Sequence, residues 1–310
     1  MIDILPDCLI QKILCCLSFK EATRMSILSK TWLQEWSTLP NLEFTINCWE
    51  GNINTANTAM ERYRKGKIPI QKFELVESFA NSREDFPLID KWLDIALENG
   101  VKHLSLNFKS YPMPILRILA AKSLRGLDVQ GSMPDSLSTG VVNCKSLRKL
   151  SLSNIRLDEN IVQALLNSCP FIDSLILGYC SGKFINCCEI KMKDLLMDHI
   201  GSTPRVDVLN VNIEWMNQNF VDALLWSCHP RRLNLFSNVT PTITHFIDHL
   251  LFMMNSSHST SDRSLPWHSQ LKEIKAFDGK NQSLPLISGE LAKRIRMEGE
   301  KVYFLLHWCS

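Results

Sequence analysis

The chain has 310 residues, 45% of them hydrophobic, which excludes wholesale disorder and leaves room for about two domains. With 34 basic against 32 acidic residues, a formal net charge of +2 and no Lys/Arg-rich block, nothing in the charge points to nucleic acid or an anionic membrane. No apolar run reaches the ~18 residues of a membrane-spanning helix.

The first residues do not read as a signal peptide: Asp3 is acidic, and Asp7, Gln11 and Lys12 interrupt the apolar positions. An intracellular protein, nuclear or cytoplasmic, is expected. The 11 cysteines, odd in number and irregularly spaced, do not form a disulfide framework. The sequons at Asn238, Asn255 and Asn281 are accordingly expected to stay unglycosylated.

In chain order, Pro6 suits a helix start, and Leu9, Ile10, Ile13, Leu14 and Leu17 form an i, i+3/i+4 stripe. Ser18-Phe19-Lys20-Glu21 has the form of a capping box, so a second helix is expected there, with Ala22, Met25 and Leu28 on its apolar side. Ser29 can cap a third helix carrying Trp32, Leu33 and Trp36, ended by Leu39-Pro40. Three short helices make a poor core by themselves. Pattern alone leaves two readings open: a cap packed on the rest of the chain, or a unit whose apolar surface belongs partly to a partner.

Leu5-Pro6-Asp7-Cys8-Leu9-Ile10-Gln11-Lys12-Ile13-Leu14, then Phe19-Lys20-Glu21-Ala22, then Ser26-Ile27-Leu28-Ser29-Lys30-Thr31-Trp32 and Leu39-Pro40, resemble the plant-type F-box. Thr31 departs from the basic residue usual in that family. The resemblance implies docking on a Skp-type adaptor, and through it on a cullin and a RING subunit. By the same resemblance, Leu5, Pro6, Ile13, Leu14, Leu28 and Trp32 are the adaptor-binding candidates, although some of the six must hold the three helices together.

Strand-like motifs then recur, anchored on Leu104, Leu127, Leu150, Leu175, Leu195, Leu209 and Leu233, most of them 20 to 25 residues apart. That lies inside the range of leucine-rich repeats. The short step from Leu195 to Leu209 predicts one truncated repeat. Leu147-x-x-Leu150-x-Leu152 and Ile172-x-x-Leu175-x-Leu177-x-x-Cys180 fit the repeat frame. Between strands, Ile161, Val162 and Leu165, and again Val221 to Leu225, give short helical faces.

The expected fold class is therefore α/β: a small three-helix F-box followed by a leucine-rich-repeat solenoid with parallel strands on its concave face. Leucines point inward and the alternating residues outward. Of those alternates, Ser105, Asp128, Ser151, Ile176, Asn210 and Asn234 are the substrate-face candidates. Each taken singly is an ordinary solvated position. Taken together, they line one face.

Residues 86–106 and Leu165-Leu166-Asn167-Ser168-Cys169-Pro170-Phe171-Ile172-Asp173-Ser174-Leu175 are similar to repeat units of plant F-box/leucine-rich-repeat proteins. Residues 255–264 read as a polar loop. Leu271, Ile274 and Phe277 precede a turn at Gly279, residues 291–295 read as a short helix, and residues 302–308 alternate as a strand. This end looks like the family's terminal FBD-like segment and is expected to cap the solenoid. The expected domains are an F-box at 1–46, a linker at 47–69, repeats at 70–252 and a capping segment at 253–310.

No catalytic, cofactor-binding or metal-binding centre is expected. The adjacent pairs Cys15-Cys16 and Cys187-Cys188 lack Cys-x-x-Cys spacing, and His245/His249 lack the following Glu of a metalloprotease helix. Cys144, Cys169 and Cys228 read as core, and no signature supports a Cys–His nucleophile. The resemblance implies a non-catalytic substrate-recognition subunit of an SCF-type cullin–RING ubiquitin ligase, with an unknown protein as substrate. The alternative is a leucine-rich-repeat interaction scaffold outside such a ligase.

Overall fold

The structure, a computed structural model, describes residues 5–46, 53–77, 83–131, 144–155, 165, 168–178, 206–212, 224–225, 228–237, 239–256, 271–297 and 302–308. It divides into two compact units, Met1–Ser132 and Met133–Ser310.

The first unit opens with three helices: α1 (Asp7–Cys15), α2 (Phe19–Met25) and α3 (Lys30–Ser37). The predicted capping box forms. Glu21 N–H donates to Ser18 Oγ at 3.3 Å, and Ser18 N–H donates to Glu21 Oε2 at 3.0 Å. These bonds hold the Glu21 carboxyl below its usual range, Ser18 being the largest cause. Ser29 Oγ accepts from Trp32 N–H at 3.4 Å and starts α3. The second and third predicted helix starts are thus met by side-chain caps, which satisfy N–H groups that a helix leaves orphaned; α1 begins after Pro6 without one.

Strand β1 (Asn41–Ile46) follows, then α4 (Ile53–Gly66), β2 (Lys72–Glu77), α5 (Phe86–Glu98), β3 (His103–Phe108), α6 (Ile115–Leu119) and β4 (Gly126–Gly131). The four strands pair in order and in parallel. Leu42, Phe73, Leu104 and Leu127 stand in register, as do Phe44, Leu75, Leu106 and Val129, and all are buried. The sheet thus begins two strands earlier than the leucine spacing predicts. The expected linker at 47–69 contains a packed helix. Tyr63 on α4 donates its hydroxyl to Leu39 O at 2.7 Å, and Asn57 Oδ1 accepts from Trp92 Nε1 on α5 at 3.3 Å.

Tyr63 gives the unit a pH-dependent element. Burial pushes its phenol up to about 12, against about 10 for an exposed tyrosine. A raised value favours the neutral form in the fold, so the contribution is complete below about pH 10 and lost as pH rises through about 12. Tyr63→Phe keeps the ring but leaves Leu39 O without that donor. It is expected to cost about 1 kcal/mol at neutral pH and to flatten the alkaline loss of stability between about pH 10 and 12. Urea midpoints across that range test this, and parallel curves for the two proteins would refute it.

The second unit holds β5 (Lys149–Ser153), β6 (Ser174–Gly178), β7 (Val208–Asn212) and β8 (Arg232–Phe236), again parallel and in register. Their leucine and valine pairs are buried. Strand β6 pairs directly with β7, Leu175 opposite Leu209. The truncated repeat expected at 194–197 lies outside the described residues. Of the two expected inter-strand helical faces, Leu165, Leu224 and Leu225 are described, helical and buried. Residues 161–162 and 221–223 lie outside.

The chain then forms α7 (Thr240–Ser256), β9 (Leu271–Phe277), β10 (Ser283–Leu284), α8 (Ser288–Met297) and β11 (Tyr303–Trp308). Strand β11 runs antiparallel between β8 and β9, and β10 pairs with β9. The free edge that a parallel stack leaves at β8 is thereby covered. The helix expected at 291–295 and the strand expected at 302–308 are both present. Residues 255–256, expected in a polar loop, instead end α7.

Candidate functional site

The three amino-terminal helices enclose a small core of Ile10, Leu14, Ala22, Trp32 and Leu39, with Leu17, Met25 and Trp36 packed against it. Ile10 and Leu14, four residues apart, form the inner line of α1. Leu9 and Ile13, also four apart, form another line, with Leu5 just ahead of the helix. The adaptor candidates therefore separate into two groups. Leu14 and Trp32 are only 1% and 2% exposed, so neither can touch a partner without unfolding the unit. They leave the candidate set because the stripe they belong to is the one that closes the core. Leu5, Pro6, Ile13 and Leu28 remain on the surface, Ile13 and Leu28 at 38% and 41%.

Three further exposed aliphatics join them: Leu9, Ile27 and Leu33. Sequence reasoning missed these as partner contacts, although Leu9 and Leu33 were in the apolar stripes. Six large aliphatic side chains exposed over about thirty residues is more than solvent-facing helices ordinarily carry.

The other candidates lie on the sheets. In the first unit, Ser105 stands opposite Asp128, and the same row continues to Glu74 on β2 and Glu43 on β1. Glu74 is bridged to Lys72 at 2.7 Å. In the second unit, Ser151, Ile176, Asn210 and Asn234 form a single row across β5 to β8. Asn234 Nδ2 donates to Asn210 Oδ1 at 2.7 Å. Ser151 is 8% exposed and so is buried where a solvated position was expected. Ile176 stands opposite it in register, and Gly178 lies opposite Ser153 further along the same strands.

The cysteines expected in the core are there: Cys144, Cys169 and Cys228 are all buried. A hydrogen bond from the Cys169 thiol holds Cys144 down to about 6 and itself pushes Cys169 up, and burial pushes Cys228 up. Among the described residues, no group of three or more His, Cys, Asp or Glu side chains could hold a metal ion. None of their helices is long and apolar enough to cross a membrane. His245 and His249 lie on α7, His245 exposed and His249 half-buried. Cys187 and Cys188 lie outside the described residues.

Comparison with known proteins covers both regions. The F-box domain family model matches residues 2–44. The model described as At1g61320/AtMIF1, LRR domain, matches residues 60–212. The chain is 26% identical over 291 residues to the F-box/FBD/LRR-repeat protein At1g13570 of Arabidopsis thaliana, covering 88% of this chain and 68% of the relative. It is 33% identical over 281 residues to an Arabidopsis thaliana protein provisionally named F-box protein At1g49610, covering 89% of this chain and 63% of the relative. With the F-box/LRR-repeat protein At3g03360 of the same plant it shares 28% identity over 219 residues, 68% of this chain and 42% of the relative. The chain thus spans about two thirds of the first two relatives and less than half of the third.

Proposed function

We propose that this chain, which belongs to the F-box/leucine-rich-repeat proteins, is the substrate-recognition subunit of an SCF-type cullin–RING ubiquitin ligase. In this reading the F-box spans residues 1–46 and docks on a Skp-type adaptor. Residues 70–252 receive a protein substrate on their strand face, and residues 253–310 are an FBD-like cap. The observation that carries the reading is the division of labour in the first three helices. Leu14 and Trp32 close the core, while Leu5, Leu9, Ile13, Ile27, Leu28 and Leu33 keep much of their apolar area exposed.

Docking would bury that area. Full burial of such a side chain is worth roughly 1.5–3 kcal/mol, of which docking adds the share still exposed, about two fifths to one half for all but Ile27, and interface energy concentrates in a few of them. The ligase would then act by proximity. Tethering holds substrate lysines at high effective concentration near the charged conjugating enzyme, so no residue of this chain makes or breaks a bond. The setting is intracellular, where the adaptor and conjugation machinery reside.

Co-purification with a Skp-type adaptor tests the proposal. Stoichiometric capture of the adaptor, and of cullin through it, is the expected result. A folded chain that captures no adaptor would sink it and leave a repeat scaffold outside the ligase.

A further inference from the structure

Strand β8 opens on Arg232, which shares a sheet face with Asn234. The Arg232 guanidinium lies 3.7 Å over the centre of the Tyr303 ring on β11. Its Nε–H donates to Asn234 Oδ1 at 3.2 Å, and Asn234 donates onward to Asn210. Tyr303 is fixed in turn. Its hydroxyl donates to Asn281 Oδ1 at 2.6 Å, and its ring stacks on Phe277 with centroids 5.4 Å apart.

A cation is thus held flat from below and steadied from one side. Yet it has no carboxylate partner among the described residues. The acids closest in register are already bridged elsewhere: Asp207 to Arg231 at 2.8 Å, and Glu273 to Lys275 at 3.0 Å. The Asn210 amide N–H groups are also without a partner among the described residues.

Ordering an arginine costs side-chain entropy, and no ion pair among the described residues offsets it. Once ordered, the guanidinium presents a rigid fork of donors that matches a carboxylate, with little left to lose on binding. We propose that Arg232, flanked by Asn234 and Asn210, is the anchor for an Asp or Glu side chain in an acidic segment of the bound protein. The assignment rests on reading this sheet face as the substrate-receiving one.

A carboxylate fits better than a phosphate. A dianion calls for a second cation, whereas Lys275 is neutralised by Glu273 and Lys149 stands three strands away. At about 4.8 Å per strand that is roughly 14 Å.

The test uses the intact chain and short fluorescein-labelled peptides in a Gly/Ser background, read by anisotropy. One carries three glutamates, one glutamines in their place, one phosphoserines. The glutamate peptide is expected to bind about tenfold or more tighter than the glutamine peptide. Arg232→Ala should erase that difference. Arg232→Lys, which keeps charge and stem and guards against a folding artefact, should erase most of it, because an ammonium lacks the fork.

Equal binding of the glutamate and glutamine peptides would overturn the proposal, as would wild-type affinity in both Arg232 variants. A preference for phosphoserine over glutamate would overturn it in favour of a phosphate site. Adaptor capture measured on the same preparations separates the two readings: a chain that captures adaptor but ignores the glutamate peptide loses only this anchor.

Discussion

Replacing Ile13 and Leu28 together by aspartate should abolish capture of the Skp-type adaptor while lowering the melting temperature only modestly. Both side chains are about two fifths exposed in the free chain and lie outside the buried core of the three helices, so the fold depends on them less than on Leu14 or Trp32. An interface would gain a great deal. Losing two anchors, each with about two fifths of its surface left to bury, forfeits roughly 1–2.5 kcal/mol of transfer energy, and burying two carboxylates without partners adds a larger penalty. A drop of more than about a hundredfold in affinity is therefore expected, since each 1.4 kcal/mol is about tenfold. Biolayer interferometry with purified adaptor, alongside a thermal melt, measures both halves. Undiminished capture by a folded double variant would move the docking surface off these helices.

That design depends on knowing which side of each stripe faces inward, and the sequence does not say. Leu9, Ile10, Ile13, Leu14 and Leu17 are all apolar, so period alone allows either the Ile10–Leu14 line or the Leu9–Ile13 line to be the core. Only the packing of α1 against α3 and Leu39 decides, and it withdraws Leu14 and Trp32 from the partner surface. Local features were legible because they are short in range. The Ser18 capping box and the Ser29 cap involve neighbours three residues apart. The Leu-x-Leu strands announce themselves by period two.

Longer-range features were not legible. Strands β1 and β2 use Leu42, Phe44, Phe73 and Leu75 at steps longer than the ~20–29 residues of the repeat template, so a spacing search passes over them. The direct pairing of β6 with β7 depends on register across the sheet, which spacing along the chain does not give. The Arg232–Tyr303 contact joins a parallel strand to an antiparallel one from the far end of the chain. Neither residue stands out in its own segment, and only the register of β11 on β8 brings them together.

The withdrawal of Trp32 is itself testable, and its expected effect is of a different kind. Trp32→Ala should destabilise the three-helix unit by about 3–5 kcal/mol, the usual cost of emptying a large aromatic site. The core of that unit has few other large side chains to absorb the loss. Trp32→Phe should cost far less. The indole Nε1 of Trp32 is buried with no hydrogen-bond partner among the described residues, so the phenyl ring gives up volume but also removes an orphaned donor worth about 1–3 kcal/mol of penalty. Hydrogen exchange over α1 to α3 measures local stability directly.

Adaptor capture should fall in Trp32→Ala too, but for a reason that mass action can reverse. A partner that binds only the folded unit stabilises it in proportion to its concentration. Excess adaptor should therefore restore capture by Trp32→Ala and fail to restore capture by the Ile13/Leu28 double variant. If Trp32→Ala instead kept wild-type exchange rates yet lost capture at every adaptor concentration, Trp32 would be a contact residue, and the inner and outer faces of these helices would have to be exchanged.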